Sequence, residues 1–470
     1  MRYISTRGEA PPLSFVEAML AGLARDGGLY VPESWPFFAS ERIAALSGLP
    51  YPELALEILR PYVAGSIAEA DLARMTREAY EGFRHPAVVP LVQLGPRTFV
   101  LELFHGPTLA FKDLAMQLLA RLMDHVLRQR GERATVICAT SGDTGGAAVE
   151  AFRGRAQVDV VVLFPHGRIS EVQRRMMTTP ADPNVHALAI EGTFDDCQAI
   201  VKAMFAHHSF RDRVRLSAVN SINWARVVAQ IVYYFAAALA LGAPARKLAF
   251  TVPTGNFGDV LAGYAAVRMG LPIDRLVIAT NVNDILVRTL ATGTYEVRDV
   301  IATTSPSMDI QVSSNFERLL FDACRRDGHT VRALMGSLAQ SGRFTIPSHA
   351  LAAIRENFSA GRADEEEVAA TVRTVRREAG YLLDPHSAVA FAVAEKEGGD
   401  PRVPMVVLST AHSGKFPEAV EAAAGIKPQL PAWLADLPRR SERVTALPAD
   451  QVAVETFILG ACRAAKGAAA

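Results

Sequence analysis

Apolar positions along this chain keep a helical spacing at first and then change to short strand-like runs. In SFVEAMLAGLARDGGLYVP, from Ser14, they fall three and four residues apart, which predicts a helix that stops at Gly27-Gly28. Roughly the first eighty residues read as helices and turns of this kind. From Phe99 the runs FVLELF, ATVICA, VDVVVLF, VHALAI, KLAFTV, RLVIAT and PMVVLS alternate with helical segments rich in small residues. Strands apolar on both faces and separated by helices predict open, mostly parallel sheets with helices on both sides, an α/β core. Between Pro306 and Asp384 the strands give way to charged helical sequence such as RADEEEVAATVRTVRREAG, whose acidic run predicts a solvated helix face. After Lys427 the Pro-rich PQLPAWLADLP predicts a linker and tail, and CRAAKGAAA a frayed end.

Length and charge narrow the class. A chain of 470 residues exceeds one simple core, so two or three packed domains are expected. Its 49 Lys and Arg residues balance 49 Asp and Glu residues. That balance leaves no one-signed field for nucleic acid or an anionic membrane. Cys138, Cys197, Cys324 and Cys462 lie far apart, with no Cys-x-x-Cys pair and no histidine at ligand spacing. Neither disulfides nor a metal site is expected, and a reducing cytoplasm fits. The start, MRYISTRGEAPPLSF, has no apolar stretch of a signal peptide. The longest apolar run, from Ile231, is too short for a membrane span and predicts a buried helix.

Open parallel sheets bind ligands at the carboxyl ends of their strands. Three such junctions are small and polar. In ATVICATSGDTGGAAVEAF a strand ends near Ala139, Thr140 to Gly145 form a turn, and a helix begins with Ala147. The turn is either an anion cradle at a helix N-terminus or a glycine turn capped by Asp143 or Thr144. In KLAFTVPTGNFGDVLAGYAAV, Gly255, Asn256, Phe257, Gly258 and Asp259 sit between strand and helix. Two glycines let the backbone approach a phosphate, yet neither a Walker loop nor the dinucleotide glycine spacing is present. In PMVVLSTAHSGKFPEAV, Ser409, Thr410, His412 and Ser413 cluster where the last strand ends, to face a ligand or to cap the helix from Pro417.

Upstream, FVLELFHGPTLAFKDLAMQLLARLM places Lys112 beside Phe111 and Leu114 in a segment otherwise patterned as a buried helix. Burial disfavours an ammonium and makes the amine a better nucleophile for Schiff-base chemistry. The alternative is a lysine that snorkels outward or pairs with Asp113. A buried lysine, a phosphate cup and a terminal hydroxyl together are the holds that pyridoxal 5'-phosphate needs, for its aldehyde, its phosphate and its ring nitrogen.

HGPTLAFKD, TSGDTGGAA, VNSINWARVVAQIVYYF, PTGNFGD, SPSMDIQVSSNFERLLFD and STAHSGKF occur in an order that resembles the threonine synthase family, and LSFVEAMLAGLARDGGLYVP resembles its N-terminal domain. The likeness runs from about Tyr3 to Pro417. It implies the fold-type II architecture of pyridoxal enzymes, with an N-terminal domain at 1–90, a catalytic core at 91–427 whose smaller lobe lies around 130–210, and a linker and tail at 428–470. It also implies conversion of O-phospho-L-homoserine and water to L-threonine and phosphate by β,γ-elimination and replacement, in a monomer or homodimer. Carried over by position, Lys112 is the Schiff-base lysine, Gly255 to Asp259 cup the cofactor phosphate, and Thr410 meets the pyridine nitrogen. Ser141, Gly142, Asp143 and Thr144 would hold the substrate carboxylate, and Asn220, Ser221 and Arg226 the substrate phosphate. A guanidinium fork suits phosphate oxygens at Arg226. Ser413-Gly414 and the second glycine of GDTGG depart from the family pattern but keep those positions small. The competing readings are a phospho-lyase or serine/threonine dehydratase on the same scaffold, and a non-catalytic cofactor-binding regulator.

Overall fold

The computed structural model describes residues 1–467. The larger of its two main sheets has six strands in the order Phe358–Arg362, Ile273–Thr280, Leu248–Pro253, Met405–Ser409, Thr98–Glu102 and Leu91–Gln93. Only the last pair is antiparallel. The smaller sheet is wholly parallel, in the order Thr445–Pro448, Val185–Glu191, Val158–Pro165, Ala134–Ala139 and Leu216–Ala218. Each of the seven apolar runs named above becomes a strand of one of these sheets.

Alternation explains why those runs are apolar throughout. Val406 and Leu408 enter one core, while Met405 and Val407 enter a second on the other face. Val160 and Val162 join the first core, and Val161 and Leu163 a third. Both faces of both sheets are therefore covered. The run from Ile231 lies in the buried helix Trp224–Ala240. Among the described residues no helix is long and apolar enough to cross a membrane.

Four features differ from the expectation. The first helix is only Phe15–Ala21, opened by a Ser14–Glu17 capping box and ended by Gly22 at φ 67°, before Gly27-Gly28 is reached. The N-terminal region also contains an antiparallel strand pair, Tyr3–Ser5 with Tyr30–Pro32. Within the stretch read as helical, Phe358–Arg362 forms an edge strand of the larger sheet. Its sequence, FSAGR, is short and lacks apolar alternation, and Gly361 lies so close to Val393 that a Cβ would meet that side chain at 2.7 Å. Finally, the segment after Lys427 is no loose tail. Thr445–Pro448 pairs with Val185–Glu191, and helix Gln451–Ala461 buries Val454 and Ile458 in the same core as Leu188 and Ile200. The apolar face of that helix, spaced by four, outweighs the Pro-rich stretch before it. The expected fraying is not seen through Arg463–Gly467, a short helix tied by Arg463 to Asp159 at 2.9 Å. The rest of that ending, residues 468–470, lies outside the described residues.

Helix Lys112–Arg130 runs from the larger-sheet strand Thr98–Glu102 to the smaller-sheet strand Ala134–Ala139. Its first residue therefore stands where the two sheets meet.

Candidate active site

Lys112 is buried, with 8% of its surface exposed. Its Nζ lies 3.3 Å from Asp143 Oδ2, donates to Ser307 Oγ at 3.4 Å, and sits 5.2 Å from the centre of the Phe111 ring. It does not pair with Asp113, whose carboxylate instead accepts the amide and hydroxyl of Thr108, each at 2.7 Å. Burial pushes the Lys112 amine below its ordinary value; Asp143 opposes this, and the cations Lys415 and Arg226 reinforce it.

The three strand-end turns converge on this amine. At the first, the helix begins at Asp143 rather than Ala147. Gly142 stands before it at φ 137°, and Thr140 Oγ1 accepts the amides of Gly142 and Gly145, each at 2.9 Å. Thr140 thus caps the turn, where Asp143 or Thr144 was the alternative expected. The carboxylate of Asp143 is taken up by Lys112, by Lys415 Nζ at 2.6 Å and by Gln173 Nε2 at 3.0 Å. It does not stand open with Ser141, Gly142 and Thr144 toward a substrate carboxylate. Burial disfavours its charge, but Lys415 and Lys112 outweigh burial and hold it well below the usual carboxylate range.

At the second turn Phe257 adopts a left-handed φ of 63° and the helix starts at Gly258. Among the described residues, the amides of Asn256, Phe257, Gly258 and Asp259 have no acceptor. Four unspent N–H groups at a helix N-terminus suit an anion. Ser313 Oγ donates to Gly255 O at 2.6 Å and Asn315 Nδ2 to Asn256 O at 2.9 Å, which fixes the turn from outside. Gly255 packs so tightly on Ser307 that a Cβ there would meet its carbonyl oxygen at 2.5 Å. Ser307 therefore touches both the turn and the Lys112 amine. Asp259 joins the cup through its amide; its side-chain Oδ1 accepts Tyr233 at 2.5 Å and Tyr234 at 2.9 Å, while Oδ2 has no partner among the described residues. Burial raises its pKa to about 6, against the two tyrosine hydrogen bonds.

At the third turn the carbonyl of Thr410 accepts the Phe111 amide at 2.8 Å, which holds Thr410 against the start of the Lys112 helix. Its amide donates to Ser387 Oγ at 3.1 Å, and its hydroxyl has no partner among the described residues. The hydroxyls of this turn do not cap the helix from Pro417, which carries no side-chain cap.

Asn220, Ser221 and Arg226 line the entry to helix Trp224–Ala240. Asn220 is exposed, and Ser221 O accepts Asn315 Nδ2 at 3.0 Å, which joins this segment to the second turn. Arg226 is 3% exposed. Its guanidinium donates to Val219 O at 3.2 Å, while Nε has no partner and no carboxylate faces it among the described residues. Burial pushes its pKa down to about 10.

Sequence reasoning missed several neighbours. Lys415 is fully buried on Asp143. His386 Nε2 accepts the Ser307 amide at 3.3 Å while Nδ1 meets Asp384 Oδ1 at 3.0 Å. Lys415 lies within STAHSGKF and Ser307 within SPSMDIQ, runs already singled out, so the signal was present without a role attached. Lys112, Lys415 and Arg226 against Asp143 leave the site with surplus positive charge. A buried amine, unspent helix-start amides and an unmatched guanidinium fit a phosphate-bearing aldehyde and an anionic substrate.

Known proteins agree with that chemistry. The family model described as pyridoxal-phosphate dependent enzyme matches residues 87–354; the threonine synthase N terminus model matches 2–80, and the threonine synthase C-terminal model 387–458. The chain is 55% identical over 459 residues to a threonine synthase of Pseudomonas aeruginosa, covering 97% of this chain and 98% of that one. The crystal structure of pyridoxal-phosphate-bound threonine synthase from Brucella melitensis superposes with a TM-score of 0.96 at 61% identity, over 98% of this chain and 100% of that one. Threonine synthase from Escherichia coli gives 0.83 at 32% identity, over 98% and 100%.

Proposed function

The chain belongs to the threonine synthase family of pyridoxal-phosphate-dependent enzymes, and from that premise we propose that it converts O-phospho-L-homoserine and water to L-threonine and phosphate with the residues assembled around Lys112. The cofactor, when bound, supplies an aldehyde that bonds amines and a ring that withdraws electrons from the carbon those amines carry. Lys112 bonds the aldehyde. Once the substrate amine has displaced it, the same Nζ, whose ammonium form burial disfavours, takes the proton from the α-carbon and later returns to release product. The amides of Asn256 to Asp259 hold the cofactor phosphate. The unpartnered hydroxyl of Thr410 meets the ring nitrogen; a neutral partner there leaves the ring less electron-withdrawing than a carboxylate would. Ser141, Gly142 and Thr144 orient the substrate carboxylate through hydroxyls and backbone, since the side chain of Asp143 is committed to the two lysines.

Arg226 carries the choice of substrate. A buried guanidinium without a carboxylate partner is costly unless an anion arrives, and Asn220 and Ser221 stand beside it on the same segment. A dehydratase has no phosphate to place there. We place the enzyme in the cytoplasm, as a monomer or homodimer acting on a small phosphorylated amino acid. Two measurements test this reading. Lys112→Ala should abolish the visible absorption of the lysine-bound cofactor, and the band's survival would remove Lys112 from the assignment. O-phosphohomoserine should yield phosphate and threonine in equal amounts; phosphate accompanied by 2-oxobutyrate in place of threonine would mean a phospho-lyase.

A further inference from the structure

Two lysines share one carboxylate at this site. Lys415 Nζ lies 2.6 Å from Asp143 Oδ1, and Lys112 Nζ lies 3.3 Å from Oδ2. Lys415 is 0% exposed, none of its N–H groups has a well-aligned acceptor, and Asp143 is the one carboxylate within ion-pair distance of it among the described residues. Gln173, packed so close to Gly142 that a Cβ there would meet its side chain at 2.4 Å, donates to the Asp143 oxygen that faces Lys415. Lys415 itself sits in the short 3-10 turn Ser413–Lys415, between the strand Met405–Ser409 and the helix Pro417–Ala424.

We propose that Lys415 is a positioning residue for the Lys112 amine: by holding Asp143 at the shorter distance it commits that carboxylate's charge, and leaves Lys112 as the neutral nucleophile of the site. The inference rests on the reading of Lys112 as the cofactor-bonding amine. Without Lys415, Asp143 would serve Lys112 alone and favour its ammonium, which cannot attack an aldehyde. With Lys415 present, one negative charge faces two cations, and the cation farther from the carboxylate is the one that can release its proton. The other groups in range act in the same sense or at one remove. Arg226 adds positive potential at Lys112, and His386 reaches the amine only through Ser307. Asp113, on the Lys112 helix, and His412, beside the third turn, both feel Lys415. Cys138 feels Lys112, and burial holds that thiol neutral by raising its pKa to about 11.

The test follows cofactor uptake by the full-length, cofactor-stripped protein, read as growth of the visible band between pH 6 and pH 10. In wild type the uptake rate should titrate with one midpoint, that of the Lys112 amine. Lys415→Met should move the midpoint up by about one unit or more, and so slow uptake by about tenfold at any pH well below the wild-type midpoint. Lys415→Arg keeps the charge and should keep the midpoint. Asp143→Asn should move it down, and the double variant Lys415→Met/Asp143→Asn, which removes both charges, should return it toward wild type. That pattern of opposite shifts is not produced by a general loss of packing. The double variant also keeps the question answerable if Lys415→Met alone fails to accumulate. An unchanged or lowered midpoint in Lys415→Met, or a double variant that behaves like Lys415→Met alone, would overturn the proposal. Failure of the parent reading has a different signature: the band would survive in Lys112→Ala.

Discussion

Arg226 offers a prediction with two opposite signs. Its guanidinium is buried with one carbonyl for company, and burial lowers its pKa from the ordinary arginine value to about 10. A depression of that size corresponds to roughly 3 kcal/mol against the charged form in the folded protein. Arg226→Met keeps the length and apolar bulk of the side chain and removes the charge. It also strands the Val219 carbonyl, a loss of about 1 kcal/mol. The net expectation is that the cofactor-loaded, substrate-free protein becomes more stable by roughly 2 kcal/mol and melts a few degrees higher. Function should move the other way. A charge-assisted phosphate contact contributes about 1.5–3 kcal/mol, so KM for O-phosphohomoserine should rise by roughly 10-fold to 100-fold. Differential scanning calorimetry with and without inorganic phosphate reads both effects. Wild type should gain melting temperature as phosphate is added, by mass action, and the variant should not. A variant that melts below wild type, or that still responds to phosphate as wild type does, would show that Arg226 is a structural cation with no anion to wait for.

Two further predictions concern the second turn. The folded-state pKa of Asp259 is raised from 3.8 to about 6, so the folded protein binds more protons than the unfolded chain between those values. Its contribution to stability is present below pH 3.8 and lost as pH rises to about 6. Asp259→Asn does not titrate, so its stability relative to wild type should climb by up to roughly 3 kcal/mol between pH 4 and pH 6 and stay flat above. Asp113, which titrates in the same window, is common to both proteins and cancels; a pH-independent difference in urea denaturation would refute the assignment. For Phe257→Gly, relief of the left-handed backbone contributes about 1–2 kcal/mol. Loss of the buried ring, edge-on to Phe316 and tilted against Phe358, costs about 3–5 kcal/mol and should win. A variant as stable as wild type would mean that strain at this turn had been the larger quantity.

Much of the fold was readable because the strands are apolar on both faces, a pattern that few other structures produce. Val160 to Leu163 need no alternation when two cores meet at one strand. The misses share a different cause. Helix starts at Asp143 and Gly258 depend on backbone torsions at Gly142 and Phe257 and on the hydroxyl of Thr140, none of which changes hydrophobic spacing. The edge strand Phe358–Arg362 is defined by its neighbour Ile273–Thr280 more than by its own residues. In the site, residue types were visible and directions were not. Asp143 and Asp259 sit in ligand-like turns, yet one serves two lysines and the other two tyrosines. Lys415, Ser307 and His386 come from separate segments of the chain, and only the folded core brings Ser307 to the Lys112 amine, Lys415 to Asp143 beside it and His386 to Ser307.

The pairing of Thr445–Pro448 with Val185–Glu191 has a consequence for how the molecule is made. A ribosome finishes the inner strands of the smaller lobe early and delivers its outermost strand near the end. At about 5–20 residues per second the gap is roughly 10–50 s, during which the nascent chain carries an open sheet edge and the uncovered side chains of Leu188, Ile190 and Ile200. Such an edge is a template for pairing with other chains. Chaperone demand and misassembly in the cell should therefore depend on the last strand and helix more than on any residue near Lys112.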